Sequence, residues 1–183
     1  PVALAADAAP RWVLSVEYAS LDRVDVYLPG AGTPIALGRV VPFSRHPLPS
    51  AWHAAALDLE PGRTQDLLLR VQTRSTMMLP LTLATSEAFH AREASAQLLQ
   101  GLLAGAALCL LLYSLAQWIG LRDATFLAYA TSLGGTALFF FAYFGLGPQH
   151  LWGDNAWLSL HAAPLAVLVA LVGGCVFIDQ ALA

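Results

Sequence analysis

Apolar and polar residues alternate along the N-terminal part of the chain and then give way to long unbroken apolar runs. Trp12, Leu14, Val16 and Tyr18 alternate with Val13, Ser15 and Glu17, and Val24, Val26 and Leu28 alternate with Arg23, Asp25 and Tyr27. A period of two marks a strand with one buried face. Pro29, Gly30, Ala31 and Gly32 read as a turn, as do Glu60, Pro61, Gly62 and Arg63. After the second turn Leu67, Leu69 and Val71 alternate with Leu68, Arg70 and Gln72. Leu79, Leu81 and Leu83 give a last strand, in which Pro80 has no N–H to offer and belongs at an edge or a bulge. Strands at short intervals without helical patterns between them predict an antiparallel β-sandwich over residues 1–85. A sandwich of this size is near the limit where a core is self-sufficient, so a further strand before Pro1, or support from the rest of the chain, is expected.

From Ser86 to Gln97 the sequence SEAFHAREASAQ is helical in pattern, with Thr85 or Ser86 able to cap it and acids in its first turn. No Gly or Pro separates it from Leu98–Trp118, which carries no formal charge. At about 1.5 Å per residue a helix of that length covers roughly 30 Å, the hydrocarbon thickness of a bilayer. Ala124–Gly147 and about Ala156–Ile178 are further apolar runs. They are apolar around the whole circumference, which suits lipid rather than a one-sided core. The expected fold class is therefore β plus α membrane: a sandwich, a juxtamembrane helix at 86–97, and transmembrane α-helices over 98–183.

The short links orient these spans. Arg122 in Gly120–Asp123 is the one basic residue in a short loop here, and the positive-inside rule puts that link in the cytoplasm. The link Pro148–Asn155 has no Lys or Arg, and Trp152 and Trp157 suit an interface. The sandwich is then outside, since long domains translocate largely regardless of their charge. Gly101 and Gly105 form a GxxxG spacing, by which two helix backbones approach closely. A homodimer is the partner such a pair fits, although a Gly- and Ala-rich span also produces it without one. Gly134, Gly135, Gly173 and Gly174 mark close packing or local bending.

Composition sharpens the division. Residues 1–97 hold eight of the nine Arg and nine of the twelve acids, and the chain has no Lys. A formal net charge of −3 gives no electrostatic basis for nucleic-acid binding. Cys109 and Cys175 lie inside apolar runs and read as small buried apolar residues, not as a disulfide or a thiolate metal site. There is no G-x-S-x-G elbow, H-E-x-x-H helix or Walker loop, so no catalytic residue, metal site or cofactor is expected. His90 and Glu93 are spaced i, i+3 and read as a solvated helix face. No ionisable residue sits deep in the apolar runs, which speaks against a proton or ion pathway. In the Pro-rich stretch PFSRHPLPSAWH, with His46 and His53, an exposed Trp52 beside Arg45 is a surface on which a sugar stacks and hydrogen-bonds. Arg45 and Trp52 are the first candidate ligand contacts, Tyr27 and Arg70 the second.

The order of these pieces resembles a known family. W-V-L-S-V-E-Y at Trp12–Tyr18, L-D-R-V-D-V-Y-L at Leu21–Leu28, P-F-S-R at Pro42–Arg45, P-G at Pro61–Gly62, L-L-L-R-V-Q-T at Leu67–Thr73 and M-L-P-L-T-L at Met78–Leu83 are similar to the type 2 extracellular domain of bacterial seven-transmembrane receptors with diverse intracellular signalling modules. A span ending near Tyr113, L-R-D at Leu121–Asp123 and Y-F-G-L-G-P-Q-H-L-W at Tyr143–Trp152 resemble the start of that family's membrane region. The resemblance implies a jelly-roll-like outer sandwich that binds carbohydrate or a similar small ligand, a multi-pass place in the bacterial inner membrane, and a cytoplasmic output such as a diguanylate cyclase or histidine kinase. The alternative is a membrane-anchored structural or protein-interaction module without a small-molecule ligand.

Overall fold

Alternation becomes two facing sheets because the large side chains of each strand have one common place to go. The structure, a computed structural model, describes residues 1–30 and 32–182; Ala31 of the first turn cluster and Ala183 lie outside the described residues. One sheet has the order β5–β2–β8, from His53–Asp58, Arg11–Val16 and Leu81–Ala84. The other has the order β4–β3–β7, from Ile35–Leu37, Arg23–Tyr27 and Leu68–Gln72. A short pair joins β1 (Val2–Ala3) to β6 (Thr64–Gln65), and every pairing is antiparallel. Leu14 of β2 stands opposite Ala55 and Leu83, and Val24 of β3 stands opposite Leu37 and Val71. Leu14, Val16, Ala55 and Leu57 from one sheet and Val24, Val26 and Leu37 from the other, with Leu21 and Leu59, form the core between them.

The expected strands form as β2, β3 and β7, of which only β7 is buried on one face alone, whereas the last strand starts only at Leu81. Pro80 sits just before it, where its carbonyl accepts the Glu17 N–H at 3.2 Å, and β8 is an edge strand as a nearby proline requires. Strands β4 and β5 are not visible as alternation. β4 has three residues, and β5 reads His-Ala-Ala-Ala-Leu-Asp, with little of the β-branched or aromatic content that marks a strand.

Helix α1 runs unbroken from Ser86 to Leu121. Thr85 caps it, its Oγ1 accepting the Ala88 N–H at 3.4 Å. The helix stops where Arg122 takes a left-handed conformation with φ of 56° and donates its N–H to Trp118. After Asp123, α2 covers Ala124–Tyr143, α3 Leu146–His150 and α4 Ala156–Leu182. α2 ends before the apolar run does, because Gly145 turns the chain with φ of 77°. Asn155 opens α4, its Oδ1 accepting the Leu158 N–H at 3.2 Å. Three of these helices, α1, α2 and α4, are long and apolar enough to cross a membrane.

The chain divides into two compact units, Pro1–Glu93 with Phe144–Leu160, and Ala94–Tyr143 with His161–Ala183. In the second unit α2 and α4 run antiparallel on small residues. A Cβ added to Gly135 would lie 2.5 Å from the Ala170 nitrogen, and one added to Gly173 would lie 2.5 Å from the Ser132 nitrogen. Ser132 Oγ donates to the Ala170 carbonyl at 3.0 Å, while Ala128, Ala162 and Ala166 are buried. Backbones this close are what small residues permit in lipid, where apolar bulk by itself drives no association. The outward faces carry exposed Leu, Val, Ile and Phe along all three helices.

Candidate functional site

The outer face of the β5–β2–β8 sheet is where the sandwich meets the start of α1. Val13 and Ala54 point away from the main core and are buried beneath Phe89, with Leu48, Trp52 and Ala84 around them. Phe89 is 2 % exposed, and its ring meets Trp52 edge to face with centroids 6.1 Å apart. One turn on, Arg92 reaches Glu17 at 2.9 Å. Phe89 is the one large apolar side chain between Ser86 and Gln97, and that is the signal by which its seat was legible.

The four candidate ligand residues fall on two segments. Tyr27 and Arg70 share the face of the β4–β3–β7 sheet that points away from the core, with Asp25 opposite Arg70 in register. Tyr27 is half-buried and Arg70 exposed; Asp25 is buried under Arg23, whose Nε donates to it at 2.9 Å. Arg45 and Trp52 stand on the connection between β4 and β5, where Arg45 is exposed at the end of a single 3-10 turn, Phe43–Arg45. Trp52 is half-buried rather than exposed, since Phe89 takes one side of its ring. Gly101 and Gly105 of the GxxxG pair have open space at their Cβ positions.

A polar cluster that the sequence does not reveal ties the start of the β4–β5 connection to the residues flanking β3 and β7. Asp22, 7 % exposed, accepts Arg39 Nε at 2.7 Å on one oxygen and the Arg74 N–H at 2.9 Å on the other. Burial by itself would raise its carboxyl, but the bonds from Arg39 and Arg74 outweigh burial and hold it below the usual 3.8. These contacts fix the Gly38–Val40 loop, where a side chain on Gly38 would collide with the Asp22 carbonyl. Beyond that loop a cleft opens between the β4–β5 connection and residues 144–160. His46 and His53 line it with Arg39 and Ser50, and Gly145, Asp154 and Ser159 close it. Ser44 donates its N–H and its hydroxyl to the two Asp154 oxygens at 2.8 and 2.7 Å. The Trp152 indole covers Gly147 and donates to Ser159 Oγ at 3.2 Å, and Gly145 packs on the Ala51 carbonyl. Among the described residues no three His, Cys, Asp or Glu side chains converge as a metal site.

An antiparallel sandwich whose outer face seats the first turns of a helix that runs on as an apolar span, followed by two more apolar helices, is a β domain joined to a membrane-spanning helical unit. Two family models match in the same order: 7TMR-DISM extracellular 2 over residues 2–85, and 7TM diverse intracellular signalling over residues 96–183. The chain belongs to the seven-transmembrane receptors with diverse intracellular signalling modules, and carries their type 2 extracellular domain. Its N-terminal domain is therefore outside the membrane. No curated protein and no solved structure matches the chain.

Proposed function

We propose that this chain is the receiving and membrane-coupling part of a bacterial inner-membrane sensor. Its jelly-roll-like outer domain takes a small extracytoplasmic ligand, carbohydrate in chemistry, and α1 carries the response to a cytoplasmic signalling module. The observation that carries the reading is the seat of Phe89: α1 begins on the outer face of a sandwich sheet and continues without a break to Leu121. A ligand that binds one arrangement of the sandwich more tightly shifts the equilibrium between arrangements, and a helix anchored there moves with it. Arg45, Tyr27 and Arg70 supply guanidinium and phenol groups for hydroxyls, and the free side of the Trp52 ring supplies a stacking face. Gly101 and Gly105 give α1 an open face on which a second copy of the chain could pack.

The test has two arms. Soluble sugars presented to the detergent-solubilised chain are expected to raise its unfolding temperature for a subset of them; a tether or protein-docking module would show no shift with any. Glycine at Glu93, Ala94, Ser95 and Ala96 costs α1 about 1 kcal/mol of helix stability per site. In a receptor carrying its cytoplasmic module this variant is expected to keep the thermal shift and lose the ligand response. An unchanged response would reject the continuous helix as the conduit.

A further inference from the structure

The cleft is lined by two imidazoles, His53 buried and His46 half-buried. His53 Nε2 lies 3.2 Å from the Ala19 carbonyl, and His46 Nε2 lies 3.2 Å from the Gly38 carbonyl. A carbonyl only accepts, so each Nε2 carries the hydrogen; the Val41 carbonyl also faces the His46 ring, while the neutral His53 ring leaves Nδ1 as a bare lone pair. Both Nδ1 atoms are buried without a hydrogen-bond partner. His53 is 4 % exposed, and the two rings stand edge to face with centroids 5.9 Å apart. The open space left in the cleft is about 30 Å³, enough for roughly one or two waters. Its other wall is the 144–160 segment, held by the paired bonds from Ser44 to Asp154 and by the seat of Gly145 on Ala51. Opening that wall would hydrate both imidazoles.

We propose that this cleft is a proton-binding site, and that charging His46 and His53 releases the 144–160 segment from the sandwich when the surroundings acidify. The closed form keeps both rings neutral, while the open form gives each Nδ1 bulk water and a proton. Two imidazolium charges at this separation repel, which adds to the release. Arg39 faces His53 and opposes its protonation, although Asp22 pairs with that guanidinium. Asp154 faces His46 and favours its protonation, while Arg45 lies beside Asp154.

Burial first, then the neighbouring His46 and Arg39, hold His53 at about 4 against an ordinary 6.5, and burial lowers His46 as well. A base whose pKa is lower closed than open gives closure its full strength above the open value and takes it away as the pH falls towards the closed one. Those two values alone reduce the closed-to-open ratio about 30-fold near pH 5, and His46 adds to the loss. Asp154 and Asp22 are held below 3.8, so both carboxylates stay ionised through this window.

The proposal is independent of any sugar ligand and is tested without one. Amide hydrogen exchange of the full chain in lipid nanodiscs is followed from about pH 7.5 to about pH 4.5 and corrected for intrinsic exchange. Leu151 and Asn155, whose N–H groups donate within the segment, report on 144–160, and the β2–β5 ladder is the reference. Protection of 144–160 is expected to fall about 30-fold near pH 5 while the ladder holds, and His53→Gln is expected to flatten the profile. If that variant does not fold, His46→Gln at the less buried ring carries the comparison and is expected to reduce the loss. Equal protection of wild type at both pH values, or the same loss in the folded variants as in wild type, overturns the proposal.

Discussion

Valine at both Gly135 and Gly173 is expected to separate α2 from α4 and lower the stability of the membrane unit by at least about 3 kcal/mol. Overpacking a tight contact costs about 1–3 kcal/mol per site, and here the obstruction is backbone, which cannot turn aside as a side chain can. The Cβ of residue 135 would meet the Ala170 nitrogen and the Ala166 carbonyl, and that of residue 173 the Ser132 backbone. Moving the helices apart also breaks the bond from Ser132 to Ala170, worth roughly 0.6 kcal/mol in a membrane helix pair. The unfolding midpoint of the detergent-solubilised chain reads the effect. Gly134→Ala is the control, since its Cβ would meet only the Leu111 side chain at an ordinary 3.7 Å. A double variant as stable as this control would show that α2 and α4 do not meet through these glycines.

Phe89→Ala is expected to unseat the start of α1 from the sandwich at a cost of about 3–5 kcal/mol, the range for emptying a buried Phe site. The ring fills the space over Val13 and Ala54. What remains is the pair between Arg92 and Glu17, whose Arg side chain is half exposed. Such a pair contributes no more than about 1 kcal/mol. Exchange protection at residues 86–93 should fall steeply in Phe89→Ala, recover largely in Phe89→Leu, and change little in Arg92→Ala. Equal losses in Phe89→Ala and Arg92→Ala would mean that the ring is not the anchor.

Much of the architecture was legible because it rests on solvent. Strands β2, β3 and β7 show a period of two in sequence because one face of each meets the main core; only in β7 does the other face meet water, since Phe89 covers Val13 of β2 and Arg23 covers Asp25 of β3. The three spans are plain because no formal charge interrupts their apolar runs, and Thr85 is an ordinary capping residue. Strand β5 escaped notice because alanine carries no period, and its partner register is set by β2 rather than by its own composition. The cleft was out of reach for a different reason. Asp154 and Ser44 are 110 residues apart, and neither lies in a pattern that names the other. His53 looked like one more polar residue in a Pro-rich stretch until the fold buried it between β2 and the loop at Ala19. Trp52 went the other way, from an open platform to a half-covered one, because the helix that covers it starts 34 residues later.

The account depends on α1, α2 and α4 crossing a bilayer with the sandwich outside, so that the 144–160 segment shares its side and the Leu121–Asp123 turn lies opposite. Single cysteines at exposed Leu151 and at Gly120, in a chain whose Cys109 and Cys175 are replaced by alanine, test this directly in intact cells with a membrane-impermeant maleimide. Leu151→Cys is predicted to label at once, and Gly120→Cys only after the membrane is permeabilised. Labelling of both in sealed cells, or of Gly120→Cys alone, would contradict the topology on which the receptor reading stands.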